Sequence, residues 1–136
     1  MNKIIFGLIA MLTLLVGSYS SIQAQGIYYK GSRIAEIESD GDVYVNGTQV
    51  GQIESDGDVY KGGIQIGRIE PDGDIYLNGS QVGQVESDGD VYKGGTQIGQ
   101  IEPDGDVYYR GGQIGEAKGI DPRWAAAFFF FFFWEL

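Results

Sequence analysis

The sequence predicts an all-β fold, in which 16-residue repeats form a closed ring of short antiparallel hairpins and a C-terminal Phe-rich segment, a short helix, packs against or into the ring. The motif Glu-Ser-Asp-Gly-Asp-Val-Tyr begins at Glu38 and returns with small changes at Glu54, Glu70, Glu86 and Glu102. Each repeat carries two turn signals, and six consecutive phenylalanines stand near the C-terminus. Self-similarity at a fixed period indicates a repeat architecture, because one unit cannot bury its own apolar face.

Residues 1–24 form a predicted signal peptide. Lys3 gives the positive start, an apolar stretch runs from Ile4 to Val16, and Ala24 is the small residue that signal peptidase needs. A membrane anchor is the competing interpretation, but the stretch is shorter than the ~20 residues that span a bilayer. We therefore expect an exported protein (periplasmic, outer-envelope or secreted after cleavage near Ala24) without a transmembrane span. Residues 25–119 then form the hairpin-repeat domain, and residues 120–136 pack on the same domain.

Composition limits the possible partners. The chain of 136 residues contains no Cys and no His, so its stability cannot rest on disulfides. The formal net charge is −10, and loss of Lys3 with the signal peptide makes it −11. This charge argues against nucleic acid, which favours a basic surface, and against electrostatic binding to anionic lipid. We expect no cofactor and a monomer, with a glycan or an envelope protein as possible partners.

The first turn signal of each repeat is a glycine turn. Asn46-Gly47 and Asn78-Gly79 favour a type I′ hairpin turn, since Asn and then Gly best tolerate positive φ at both central residues. Gly62-Gly63, Gly94-Gly95 and Gly111-Gly112 are expected to fill the same place in other copies. Six glycine turns are therefore predicted, near Gly31, Gly47, Gly63, Gly79, Gly95 and Gly111.

The second turn signal is the acidic loop Ser39-Asp40-Gly41, in which Pro replaces Ser in alternate copies. Asp and Gly suit the positions that close such a turn. Between the turns, Asp42 to Val45 and Gln49 to Glu54 are rich in β-branched and aromatic residues, which favours short antiparallel strands. An open row of these hairpins would expose two strand edges. We therefore expect the Ile27–Tyr29 strand to meet the Gln113–Ala117 strand and close the ring.

The complete repeat, Glu-x-Asp-Gly-Asp-(Val/Ile)-Tyr-x-x-Gly-x-Gln-(Ile/Val)-Gly-x-(Ile/Val), resembles that of the five-fold beta-flower proteins of bacterial envelopes. The signal peptide and the terminal block between Trp124 and Trp134 belong to the same resemblance, which covers essentially the whole mature chain. The resemblance implies five hairpin petals around a central axis. It implies no biochemical activity.

Carboxylates are concentrated in the acidic loops, which makes weak binding of divalent cations one hypothesis. Calcium sites are built from such oxygens, but an EF-hand needs a 12-residue loop, and here a Val-Tyr strand begins at once. Turn chemistry and solubility are the favoured explanation. The candidate metal ligands are Asp40, Asp42, Asp56, Asp58, Asp72, Asp74, Asp88, Asp90, Asp104 and Asp106.

A tyrosine ladder recurs once per repeat, and Tyr28 matches it in the partial first copy, from Ile27 to Ile37. Val43 and Tyr44 are adjacent in a strand and so face opposite sides of the sheet. The exposed rings could contact sugars, or they could pack over neighbouring backbone. The strand glycines, such as Gly51, favour packing, because such a glycine marks a bulge or a close approach. The candidate ligand-binding residues are Tyr44, Tyr60, Tyr76, Tyr92 and Tyr108.

The C-terminal block from Trp124 to Trp134 is apolar throughout. Asp121-Pro122 is typical of a helix start, and three alanines also favour a helix, although six phenylalanines mildly favour a strand. We predict a short helix that fills the centre or mouth of the ring. An oligomer interface and a membrane-contacting tail are the alternatives.

The sequence argues against an enzyme. Without His and Cys, the common pairs of nucleophile and base are missing, and the carboxylates recur in five equivalent copies. The predicted function is an exported, non-enzymatic structural or binding module of the bacterial cell envelope. A carbohydrate-binding module that uses the tyrosines and acidic loops is the first alternative, and a divalent-cation-binding protein is the second.

Overall fold

The computed structural model of the protein describes residues 24–136. Most of the predicted signal peptide, residues 1–23, lies outside this range. The described chain forms twelve antiparallel strands and one C-terminal helical segment. The strands are β1 (Ala24–Tyr29), β2 (Ser32–Glu38), β3 (Asp42–Val45), β4 (Thr48–Ile53), β5 (Asp58–Lys61), β6 (Ile64–Ile69), β7 (Asp74–Leu77), β8 (Ser80–Val85), β9 (Asp90–Lys93), β10 (Thr96–Ile101), β11 (Asp106–Tyr109) and β12 (Gly112–Glu116).

Every strand pairs with its neighbours in sequence, and β1 pairs with β12, so the sheet is a closed barrel. The closing contact joins Tyr28 to Glu116 and Tyr29 to Gly115, which confirms the predicted closure. The twelve strands make six hairpins, whereas the resemblance implies five petals. The sixth hairpin is β1–β2, the partial first copy. Five acidic loops connect the six hairpins, because the chain leaves the wall after β12 instead of forming a sixth loop.

The two kinds of turn lie at opposite ends of the barrel. The glycine turns connect the two strands within each hairpin, and we call their end of the barrel the glycine rim. The acidic loops, residues 38–42, 54–58, 70–74, 86–90 and 102–106, connect successive hairpins and form the acidic rim. Asn46 and Asn78 have φ of 50° and 49°, followed by glycines with positive φ, as the predicted turn type requires.

Alternation along each strand separates a buried face from an outer face. Val43 is fully buried, whereas Tyr44 is half-buried on the outside, as the sequence predicts. All six hairpins contain a β-bulge, as between Val43 and Tyr44 in the hairpin β3–β4. The bulge leaves Val50 between two paired residues, and Val50 packs against the core from its half-buried position.

The C-terminal segment is helical and lies inside the barrel, as predicted. Helix α1 (Pro122–Ala126) begins at the N-cap Asp121, whose carboxylate accepts a hydrogen bond from the Arg123 backbone N–H. A π-helix (Ala127–Phe132) follows without a break. We call residues 122–134 the plug. Phe128 and Phe129 are fully buried, and the Phe128 ring lies 5.3 Å from Phe129 and 6.0 Å from Phe133.

Candidate functional site

The interior of the barrel is filled by an ordered pairing of phenylalanines with strand glycines. Five consecutive rings of the plug contact five glycines that are 16 residues apart, and the two series run in opposite directions. A Cβ atom built at Gly99 would lie 2.6 Å from Phe130, and one at Gly51 would lie 2.7 Å from Phe133. The pairs are Gly115–Phe129, Gly99–Phe130, Gly83–Phe131, Gly67–Phe132 and Gly51–Phe133.

The π-helix narrows the difference between the rotation per residue of the plug and the angular spacing of the hairpins. An α-helix turns by about 100° per residue, whereas equal spacing of six hairpins would place them about 60° apart. The wider winding of a π-helix, shown by the hydrogen bond from the Phe133 N–H to the Phe128 carbonyl, reduces the angle per residue. The remaining hairpin, β1–β2, has the small and buried Ala35 in place of the glycine, and Trp134 packs on its Tyr29 at 5.5 Å.

Polar contacts fix both ends of the plug. At the acidic rim, Arg123 forms a 2.8 Å ion pair with Asp121 and donates a hydrogen bond to the Pro71 carbonyl. Burial raises the pKa of Asp121, but hydrogen bonds from Arg123 outweigh burial and hold that pKa below its usual range. At the glycine rim, Lys61 donates to the Phe132 carbonyl at 3.2 Å and Lys93 donates to the Phe130 carbonyl at 3.4 Å. These two ammonium groups satisfy carbonyls at the negative end of the helix.

The acidic loops use one carboxylate each for turn chemistry. The Asp40 carboxylate accepts a hydrogen bond from the Asp42 N–H at 3.1 Å, and the other four loops repeat this contact. The Gly41 carbonyl accepts from the Ile53 N–H, so each loop is also held by the next hairpin. In four loops, one carboxylate oxygen from each of three acidic residues lies within 4.8 Å of the others. These groups are Glu38-Asp40-Asp42, Glu54-Asp56-Asp58, Glu70-Asp72-Asp74 and Glu86-Asp88-Asp90.

The five ladder tyrosines stand on the outer wall beside these carboxylates. Partial desolvation and the charge of Glu38 raise the pKa of Tyr44. The charge of Glu54, followed by desolvation, raises the pKa of Tyr60. Desolvation, followed by the charge of the equivalent glutamate, raises the pKa of Tyr76 and Tyr92. For Tyr108, the charge of the glutamate is the larger cause of the raised pKa and desolvation the next. Because each phenol is favoured in its neutral form, each hydroxyl remains a hydrogen-bond donor at neutral pH.

Four equivalent grooves follow the outer wall from the acidic rim to the glycine rim. One groove, of about 400 Å³, is lined by Gln65, Glu70 and Tyr76, together with the turn at Asn78. The other three have volumes of about 430, 460 and 500 Å³. They repeat the lining with Gln49, Glu54 and Tyr60, with Gln81, Glu86 and Tyr92, and with Gln97, Glu102 and Tyr108. Each groove thus combines an aromatic ring, amides and a carboxylate.

The structure brings some predicted site residues together and separates others. Tyr60, Tyr76, Tyr92 and Tyr108 lie one to a groove, whereas Tyr44 lines none of the four. The two predicted aspartates lie together in each of four acidic loops. The close approach at the strand glycines is confirmed, but the approaching groups are a plug phenylalanine and the backbone carbonyl of a tyrosine on the neighbouring strand, not a tyrosine ring. The interpretation from the sequence was that these glycines favour packing of the tyrosine rings. The glycines therefore give no support to that interpretation. The groove glutamines were missed, although Gln49, Gln65, Gln81 and Gln97 recur with the repeat.

Known families were compared with this chain. The model of the family described as 5-fold beta-flower protein matches residues 19–133. The chain belongs to this family. The match spans the hairpin repeats and nearly all of the plug, so the beta-flower fold includes the Phe-rich segment. Comparisons with curated proteins and with solved structures found no match.

The plug is the longest helical segment that the structure describes in this beta-flower protein. Within residues 24–136, no helix is both long enough and apolar enough to cross a membrane.

Proposed function

We propose that this beta-flower protein is an exported, non-enzymatic binding module that uses its outer grooves, with carbohydrate as the ligand class. The observation that carries the proposal is the recurrence of one groove lining, Tyr with Gln and Glu, in four grooves around the wall. The plug occupies the axis, so ligand access is from the outside. Equivalent sites around a ring suit a multivalent ligand better than a catalytic centre, which breaks symmetry.

The groove chemistry matches a sugar. Tyr76 offers both a ring face and a neutral hydroxyl, while Gln65 offers an amide that donates and accepts. Glu70 adds an acceptor at the acidic end of the same groove. Sugar hydroxyls need both donors and acceptors, and their C–H faces stack on aromatic rings. A neutral polysaccharide with repeating units could engage several grooves at once, which would increase the observed affinity.

The proposal is tested by titrating the protein with neutral and acidic bacterial polysaccharides in a calorimeter. We expect one class to bind, and binding to weaken when Tyr60, Tyr76 and Tyr92 are replaced by Leu. Tyr28→Leu is the matched control, because Tyr28 has the same place on its strand but follows no acidic loop. Absence of binding to every polysaccharide would favour a purely structural role. Equal weakening by the control would show that the effect comes from the fold.

Divalent-cation binding is the second candidate, supported by the three carboxylates that converge in each of four loops. One oxygen of Asp40 is already used by the turn, and the groups are largely exposed, which together make a poor cage. We therefore expect millimolar calcium to raise the Tm by only a few degrees. A rise above about 10 °C would show tight binding to the native state and establish a metal site. Replacing Asp40, Asp56, Asp72 and Asp88 together by Asn, one in each of the four groups, should abolish any specific effect.

A further inference from the structure

The cationic side chains of the wall are concentrated at the glycine rim. Fifteen of the nineteen acidic residues lie in the acidic loops, three in each of five. At the opposite end of the barrel stand four exposed cations. Lys30 and Arg110 each begin a glycine turn, and Lys61 and Lys93 end the strands that precede two other glycine turns. Glu135, which follows the plug, is an acidic residue near this end. The net charge of the chain therefore does not reveal that the two ends of the barrel carry charges of opposite sign.

The four cations are held in place at the mouth of the barrel. Lys61 and Lys93 donate hydrogen bonds to plug carbonyls. Lys30 lies 5.3 Å from the centre of the Tyr29 ring, and the Arg110 guanidinium lies 5.2 Å from that of Tyr109. All four side chains remain exposed, so they present one ring of positive charge around the end of the plug.

Apolar side chains share this rim. Ile64, at the end of a glycine turn, is 69% exposed. The corresponding positions in other repeats hold Thr48, Ser80 and Thr96, so isoleucine is not required by the turn. Trp134 packs half-buried on Tyr29 at the mouth of the barrel. Interleaved cations, aromatic rings and an exposed aliphatic residue are typical of surfaces that bind the headgroup region of a bilayer.

We propose that the glycine rim docks the protein on an anionic lipid surface. The acidic rim does not prevent this docking, because the two rims are separated by four to seven residues of strand, or about 10–20 Å. That distance exceeds the Debye length of about 8 Å at physiological ionic strength, so the field of the acidic loops is weakened at a surface that touches the glycine rim. A soluble polyanion would match the cations but would leave the exposed Ile64 without an apolar contact. The docking does not rest on the proposed sugar binding. Arg110 also lines one outer groove, whereas the other three cations line none of the four.

The docking is tested with vesicles of phosphatidylcholine, alone or with about one third phosphatidylglycerol, by co-sedimentation with the purified protein. The protein is used as recovered from cells, after mass spectrometry has identified its amino terminus. We expect binding to the anionic vesicles and little binding to the neutral ones. The double variant Lys30→Asn and Arg110→Asn should bind about 30-fold more weakly, since each cation contributes about a factor of five near an anionic surface.

The controls come from the chain's own repeats. Asn at positions 30 and 110 reproduces the Asn-Gly turn of residues 46–47, so the barrel should keep its Tm. Ile64→Thr should also weaken binding to the anionic vesicles. The matched control, Arg68→Gln with Lys118→Gln, removes the same charge from the wall and the acidic rim and should leave binding unchanged. The proposal would be overturned by an equal loss of binding with this control or by equal binding to neutral vesicles. Binding to heparin but not to vesicles would also overturn it. So would self-association of the protein through the glycine rim without binding to vesicles.

Discussion

The wall of the barrel and the plug inside it are both repetitive, but their repeats have different lengths. The wall repeats every 16 residues and obtains its shape from turns that each hairpin specifies locally. In the plug, each successive residue contacts a different hairpin, and these contacts form only when the wall surrounds the plug. One circuit of the barrel uses all six hairpins of the wall but only six residues of the plug. The pairing of Gly83 with Phe131, and of its four equivalents, is where the two periods meet.

Because of this difference, the plug contributes more to the stability of the protein than any one repeat of the wall. Four plug phenylalanines are buried, and burial of each contributes about 1.5–3 kcal/mol. Their sum is comparable with the total stability of a domain, about 5–15 kcal/mol. The wall contributes smaller terms at each turn and each strand pair. Removal of the plug should therefore damage the protein more than any change in one repeat.

Truncation after Gly119 is expected to have the largest effect. It removes every ring that fills the axis and exposes the inner faces of six hairpins. We expect the truncated chain to unfold, to bind a hydrophobic dye or to fail to accumulate, as measured by circular dichroism, dye fluorescence and yield. If it stays monomeric and melts within a few degrees of the full-length protein, the wall is stable by itself and the plug is not its core.

A change in one acidic loop tests the local contribution of the wall. Gly57 has φ of 96°, and a Cβ there would clash with the Ile69 carbonyl. Gly57→Val should cost about 3 kcal/mol or more, since strain and overpacking each cost about 1–3 kcal/mol. Asp58→Asn keeps the backbone N–H that caps the turn and should cost less than about 0.5 kcal/mol. Urea denaturation measures both values, and similar costs would show that the loop depends on charge.

The contact between wall and plug is tested by Gly83→Ala. The new methyl group would clash with the Phe131 ring and with the Tyr92 carbonyl, so we expect a loss of about 1–3 kcal/mol in urea denaturation. Gly112→Ala is the matched control, because its Cβ would meet only the Tyr109 carbonyl, at 3.8 Å, and its φ is not positive. That control should lie within about 0.5 kcal/mol of the wild type. Equal costs would mean that the strand glycines are not selected for contact with the plug.

The same comparison explains which features the sequence could predict. The glycine turns, the acidic loops and the N-cap at Asp121 depend on residues close together in the chain, so their chemistry was visible. The closure of the ring followed from the cost of open strand edges. The number of hairpins required the partial first copy to be counted as a complete unit, and it lacks an acidic loop.

Features that join distant hairpins were harder to predict. The pairing of glycines with phenylalanines depends on the angular spacing of the hairpins, which exists only in the closed barrel. Each outer groove combines Gln and Glu of one hairpin with Tyr of the next, so no single repeat contains it. The cations at the glycine rim left one signal in the sequence. Lys61 and Lys93 occupy the place in the repeat that Val45 and Leu77 occupy elsewhere.

Alkaline pH should act on the ladder tyrosines of the wall, which gives the smallest predicted effect. The pKa of each ladder tyrosine in the folded protein is raised above the usual value of about 10, mainly by desolvation and the neighbouring glutamate. Between the unfolded and folded pKa values, the native state holds more protons than the unfolded state. The stabilisation by the neutral phenols is therefore fully present below pH 10 and is lost as the pH rises through the folded values.

We expect the Tm to fall more steeply above pH 10 in the wild type than in the triple variant Tyr60→Phe, Tyr76→Phe and Tyr92→Phe. All other titratable groups are the same in both proteins, so the difference between their curves isolates these three tyrosines. Absorbance of the phenolate near 295 nm gives the titration midpoint directly. If the two Tm curves stay parallel through this range, the pKa values of these tyrosines are not raised in the folded protein, and the neighbouring glutamates do not act on the phenols.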